Sequence, residues 1–141
     1  MKTEDKELLL KDLCSRLPYG VKCVSISDGC IGYISSIESQ YGVVTFDDGR
    51  QEEIIDIKPY LFPLSNMTEE QKKELCKVGG YEAREEDCGY HSETFYYNMV
   101  GHENVFYPDA DDIDWLNKNH FDYRGLIEKD LALDATGLNI Y

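Results

Sequence analysis

The chain has 141 residues, 42% hydrophobic and 12% aromatic, with 28 acidic residues against 14 basic ones and a formal net charge of −14. That length suits one compact domain or a small domain with an extension. The apolar content is enough to fill a core, which excludes wholesale disorder. A chain this acidic makes a poor direct ligand for nucleic-acid phosphates or an anionic membrane, because both recruit clustered Lys and Arg. The expected partner is therefore a protein, of basic character.

The first thirteen residues, MKTEDKELLLKDL, set their leucines between charged residues. A secretory leader needs an apolar stretch of about 7–15 residues, and a membrane span needs about 20. Neither occurs, so the expected compartment is the cytoplasm. Cys14, Cys23, Cys30, Cys76 and Cys88 are odd in number and lack C-x-x-C spacing. In a reducing compartment such residues read as small buried hydrophobes.

Residues 4–17 carry Leu9, Leu10, Leu13, Cys14 and Leu17 at the spacing of an amphipathic helix. Thr3 is read as its N-cap, and Pro18 with Gly20 stops it. From Gly20 the period changes to four β-rich runs at 21–27, 30–37, 41–46 and 51–57. Asp28-Gly29 and Asp48-Gly49 mark tight turns between them, since Asp-Gly tolerates the positive φ angles a hairpin turn demands. A short last strand is expected at 61–64, kept to an edge by Pro59 and Pro63.

Several short strands in so few residues escape the exposed-edge problem by rolling up. Residues 18–64 resemble an SH3-like barrel in strand count, spacing and turn placement, with the N-terminal helix closing one end. The expected fold class is α+β: helix, small antiparallel SH3-like barrel (residues 1–65), then an acidic, aromatic-rich part with short helices (residues 66–141) packed on it.

Thr68-Glu69-Glu70-Gln71 has capping-box spacing for a helix running to about Val78, ended by Gly79-Gly80. Residues 79–108 scatter seven aromatics without a clean period, and a short strand or turn is expected near 94–99. Pro108-Asp109 opens another helix whose Asp residues suit its positive pole and which ends at Asn117-Lys118-Asn119. A second short helix is expected from Asp122 as N-cap through Leu126 and Ile127. The tail, with Leu131-Ala132-Leu133 and Leu138 to Tyr141, is expected to dock in extended form.

Chemical motifs are sparse. Cys88 and His91 form one short pair with His102 and Cys76 as conceivable partners, whereas structural zinc sites show two short pairs. The run from Asp109 to Asp114 fails the calcium-loop pattern, because its sixth position is Asp114 and its twelfth is His120. No G-x-S-x-G elbow, cysteine-nucleophile signature or phosphate-cradling glycine loop occurs. His120 with Asp122 is the nearest approach to a catalytic pair, and it suits a structural role beside a cap. No catalytic residue, metal or cofactor is assigned, and the expected protein is not an enzyme.

The acidity is uneven. Residues 1–66 hold seven basic and eleven acidic residues, a net of −4, whereas residues 67–141 hold seven and seventeen, a net of −10. A solvated acidic face is one reading. A surface for a basic partner is another, and its extreme form is an array of carboxylates imitating DNA phosphates to inhibit a nucleic-acid-binding protein of the host.

The stretch Asp114 to Asp134, which contains HFDYRGLI, is similar to a family of small phage- and prophage-associated bacterial proteins. So are Leu8 to Gly20 and Lys58 to Thr68. The resemblance implies a small accessory protein of a mobile element, and it brings no activity or catalytic residue. Trp115, Phe121, Leu126 and Ile127 are expected to anchor packing. Arg124 is expected to pair with Asp122, another acidic neighbour or a helix carboxyl end. The residues assigned to partner binding are Tyr33, Tyr41 and Tyr60 on the barrel, with His120 and Arg124 in the HFDYRGLI string.

Overall fold

A computed structural model describes residues 1–78 and 110–141. The strand expected near 94–99 and the Cys88, His91 and His102 set lie outside the described residues. Helix α1 spans Thr3–Arg16 and buries Leu9 and Leu13 completely. Its N-cap is Lys2, without a side-chain cap, so Thr3 is the first helical residue rather than the cap. A 3-10 turn, Leu17–Tyr19, then leads to Gly20 at φ +80°. A side chain at Gly20 would stand 3.5 Å from the Tyr33 ring as well as being strained.

The strands follow as β1 (Lys22–Ser25), β2 (Ile31–Glu38), β3 (Val43–Phe46), β4 (Gln51–Glu53) and β5 (Ile57–Pro63). Both Asp-Gly turns form as their chemistry dictates. The Asp28 carboxylate accepts the Cys30 N–H at 2.9 Å, the Asp48 carboxylate accepts the Arg50 N–H at 3.0 Å, and each following glycine has positive φ. A 3-10 turn, Ile54–Asp56, joins β4 to β5. Helix α2 (Glu69–Val78) starts with the expected reciprocal cap: Gln71 N–H donates to Thr68 Oγ1, and Thr68 N–H donates to Gln71 Oε1. Helix α3 (Ala110–Lys118), β6 (Phe121–Asp122) and β7 (Leu133–Asp134) complete the described elements.

The strands form one mixed sheet in the order β4-β3-β2-β1-β5-β6, with β7 also paired to β5. The pairs among β1 to β5 are antiparallel, and β6 and β7 join β5 in parallel. The α+β class is as expected. The barrel is not closed: no pairing joins β4 to the far edge among the described residues. The β5 expectation also needs correction. This strand is internal, flanked by β1 and by the two C-terminal strands. Its prolines are tolerated because Pro59 is the last β5 residue paired with β1 and Pro63 is the last paired with β6, so each missing N–H falls at a ladder end.

Residues 122–127 do not form the expected helix. Asp122 belongs to β6, and its carboxylate accepts the N–H groups of Leu126 and Ile127 at 3.0 and 2.9 Å. It caps a run of turns in which Gly125 and Asp130 have positive φ, a geometry that an α-helix cannot continue through.

The main core joins α1, the strands and the C-terminal segment: Leu9, Leu13, Cys23, Ile34, Phe46, Ile57 and Leu61 meet Leu126, Leu131 and Ala132. A second core brings Leu64, Met67 and Leu75 onto Trp115, Leu116 and Phe121, with the Trp115 and Phe121 rings stacked at 5.7 Å. Between α1 and β6 lies a buried ion pair. Arg16 donates to Asp12 through Nε (2.7 Å) and Nη2 (3.1 Å), both side chains being fully buried. Arg16 Nη2 also donates to the Phe121 carbonyl at 2.7 Å, which ties the helix to β6.

Removing one partner of a buried pair strands the other charge in low dielectric. Asp12→Ala should lower unfolding stability in urea by about 3–5 kcal/mol. Asp130→Asn, which removes the charge of the exposed Lys58 pair while keeping a residue that tolerates the positive φ there, should change it by less than about 1 kcal/mol.

Candidate interaction face

On β1 and the start of β2 alternate residues turn outward, Lys22 and Val24 opposite Tyr33 and Ile31, and Lys58 of β5 continues the row beside Val24. In the register Lys58–Val24–Ile31, Ile31 is 46% exposed, and beside it Lys22 pairs with Tyr33, which is 41% exposed. Lys22 organises this face. Its Nζ lies 4.9 Å from the Tyr33 ring centroid and donates to the Ile140 carbonyl at 2.7 Å. Its backbone N–H donates to the Tyr141 hydroxyl at 3.0 Å, and that hydroxyl donates to the Tyr60 carbonyl at 2.8 Å. The Tyr141 phenol is thereby inserted between β1 and β5, and burial pushes its pKa up. Ile26, directly after β1, is also exposed, whereas the exposed Tyr19 hydroxyl pairs with Asp114 of α3.

The turn end of the face is acidic. Asp28, Asp47 and Asp48 are all exposed there. Asp47 N–H donates to the Tyr33 carbonyl, placing that residue directly alongside. The backbone N–H of Cys30 holds the Asp28 carboxyl below its ordinary pKa, and the backbone N–H of Arg50 does the same for Asp48. Arg50 is the cation of this rim, 2.7 Å from Asp48 and 3.9 Å from Asp28, with its guanidinium over the Phe46 ring. Three carboxylates against one guanidinium leave the rim net negative.

Of the residues assigned from sequence, Tyr33 lies on this face and Tyr41 is 68% exposed in the β2–β3 turn, beyond the other end of β2. Tyr60 is not an exposed aromatic: it is 7% exposed, because β5 is internal and β7 pairs alongside it. His120 is half-buried and stacks on Tyr141 with ring centroids 3.5 Å apart. Tyr141 and Lys22 thus join Tyr33, Tyr60 and His120 into one assembly, with Tyr41 outside it.

Arg124 pairs with Asp12, at 3.2 Å, rather than with Asp122. Its Nη2 donates to Ser15 Oγ and to the Tyr123 hydroxyl, which in turn donates to Asn117. Tyr141 and Lys22 were missed from sequence because their roles arise from a contact across more than a hundred residues. Docking of the apolar tail was the one available signal.

Among the described residues no group of His, Cys, Asp and Glu is placed to hold a metal ion, and no helix is long and apolar enough to cross a membrane. No family model, curated protein or solved structure matches the chain.

Burial, and secondarily the Arg16 charge, hold His120 down from 6.5 to about 4. The unfolded chain therefore binds this proton more readily, so the residue's contribution to stability is whole above about 6.5 and is lost as pH falls towards about 4. His120 has φ 63°, which Asn also tolerates. Melting temperatures recorded across that window should fall less steeply for His120→Asn than for the parent protein. Tyr141→Phe removes both hydroxyl hydrogen bonds and should cost about 1–3 kcal/mol in the same kind of denaturation series.

Proposed function

We propose that this protein is a non-enzymatic, cytoplasmic interaction module that binds a basic segment of a protein partner across the outer face of β1, β2 and β5. The observation that carries the reading is the juxtaposition of exposed Ile31 and Tyr33 with the under-compensated carboxylates of Asp28, Asp47 and Asp48. Apolar side chains left together on a sheet face favour removal from water by a partner. The acidic rim steers and orients a cationic segment, and the buried aromatic contact supplies most of the residence time. The similarity of the HFDYRGLI string to phage- and prophage-associated proteins supports an accessory role in a mobile element. His120 and Arg124 serve this reading from behind the face: His120 braces Tyr141, and Arg124 joins α1 to the C-terminal turns.

The test compares partners retained from host lysate by the parent protein, by Ile31→Glu with Tyr33→Ala, and by Asp28→Asn with Asp47→Asn and Asp48→Asn. The apolar double variant should lose the partner at every salt concentration while keeping its melting temperature. The charge variant should lose it mainly in low-salt capture rate. A partner still bound by both variants and released by duplex DNA would overturn this reading in favour of DNA mimicry.

A further inference from the structure

The turn after β5 and the turns after β6 enclose a cleft of about 630 Å³. Leu64 and Ser65 line one side, and Tyr123, Arg124, Ile127 and Lys129 line the other. Gly125 sits beside Arg124 with nothing within 4 Å of where a Cβ would stand, so the wall is open there.

The hydrogen bonding of Arg124 is incomplete. Both oxygens of Asp12 are engaged by Arg16, Oδ2 by Nε and Oδ1 by Nη2. Arg124 Nε reaches within 3.2 Å of the same Oδ1, yet it is buried and off the line of a hydrogen bond. Its Nη2 makes the two long bonds to Ser15 and Tyr123, at 3.3 and 3.2 Å, and among the described residues Nη1 makes none. Two guanidinium groups thus share one carboxylate, and among the described residues the second has no anion of its own.

The cleft's carboxylates do not fill that role. Asp122 spends both oxygens on the N–H groups of Leu126 and Ile127, and the exposed Glu128 makes no ion pair with Arg124. The Arg124 guanidinium carbon lies over the Tyr123 ring, 4.9 Å from its centroid, and the side chain is 17% exposed. A planar, pre-oriented guanidinium with unengaged donors on a cleft wall is suited to an oxyanion.

We propose that this cleft binds a small molecule through a carboxylate or phosphate group, taken by Arg124 Nη1 with the Lys129 ammonium adding charge at the rim. Leu64 and Ile127 offer apolar contact to the remainder of the ligand. The site is independent of the sheet face assigned to the protein partner.

Titration of the full chain with acetate and with inorganic phosphate, at ionic strength held constant with chloride, tests this by 15N NMR. At least one probe should shift the Arg124 Nε–H signal and the Gly125 and Lys129 amides saturably, and the one that saturates identifies the preferred oxyanion. Arg124→Gln should weaken binding about tenfold or more. Because Arg124 also supports the Asp12 pair, Ser65→Trp provides a second variant on an exposed wall. It should abolish the saturable shifts and leave the melting temperature unchanged. Shifts that follow chloride, that fail to saturate with both probes, or that persist in both variants would overturn the proposal.

Discussion

A charged triad formed by Asp12, Arg16 and Arg124 links the N-terminal helix to the C-terminal turns, and much of the remaining structure depends on it. Burying an ion costs several kcal/mol unless its hydrogen bonds are replaced, so the pair is tolerable only with near-complete coordination. Arg16 engages both Asp12 oxygens in a bidentate contact one helical turn apart, which α1 sets up by itself, while its Nη1 has no hydrogen-bond partner among the described residues. The Phe121 carbonyl then takes a further donor of Arg16, and this fixes where β6 meets the helix. Moving β6 away would leave that guanidinium donor buried and unpaired. The polar network therefore specifies position as much as it contributes energy.

Once β6 is placed, β5 becomes internal. The strand pairs with β1 through Pro59, with β7 at Tyr60 and Leu61, and with β6 at Phe62 and Pro63. The parallel pairs occupy an edge of β5 that would otherwise stand open, and an open edge is the usual hazard of a small sheet. The sheet thus has its β5 side covered by its own C-terminal segment without closing into a barrel. Leu126, Leu131 and Ala132 enter the main core with that segment, so the two halves of the chain share one apolar interior.

The same arrangement sorts the aromatics. Tyr60 goes inside, while Tyr33 stays outside against Lys22 and over Gly20. Tyr141 bridges the two through its hydroxyl, and His120 is stacked on it in a form that resists protonation. An exposed apolar row beside an acidic rim and an arginine with unengaged donors in a separate cleft are two surfaces with different chemistry.

Local chemistry alone determined α1 from its leucine spacing, α2 from its reciprocal Thr68–Gln71 cap, the end of α3, and both Asp-Gly turns. In each case the deciding interactions span only a few residues, so the pattern carries its own geometry. Asp122 was legible as a capping residue, but not what it caps, because Gly125 and Asp130 convert a helix start into turns. Of the candidate site, the exposure of Tyr33 and Tyr41 was legible from their place on short strands and turns, whereas the burial of Tyr60 was not. That burial, the internal position of β5, the pairing of Arg124 with Asp12, and the insertion of Tyr141 beside Lys22 were decided by tertiary structure. Each depends on contacts between residues about 70 to 120 positions apart, and no local periodicity encodes which distant strand or carboxylate will arrive there.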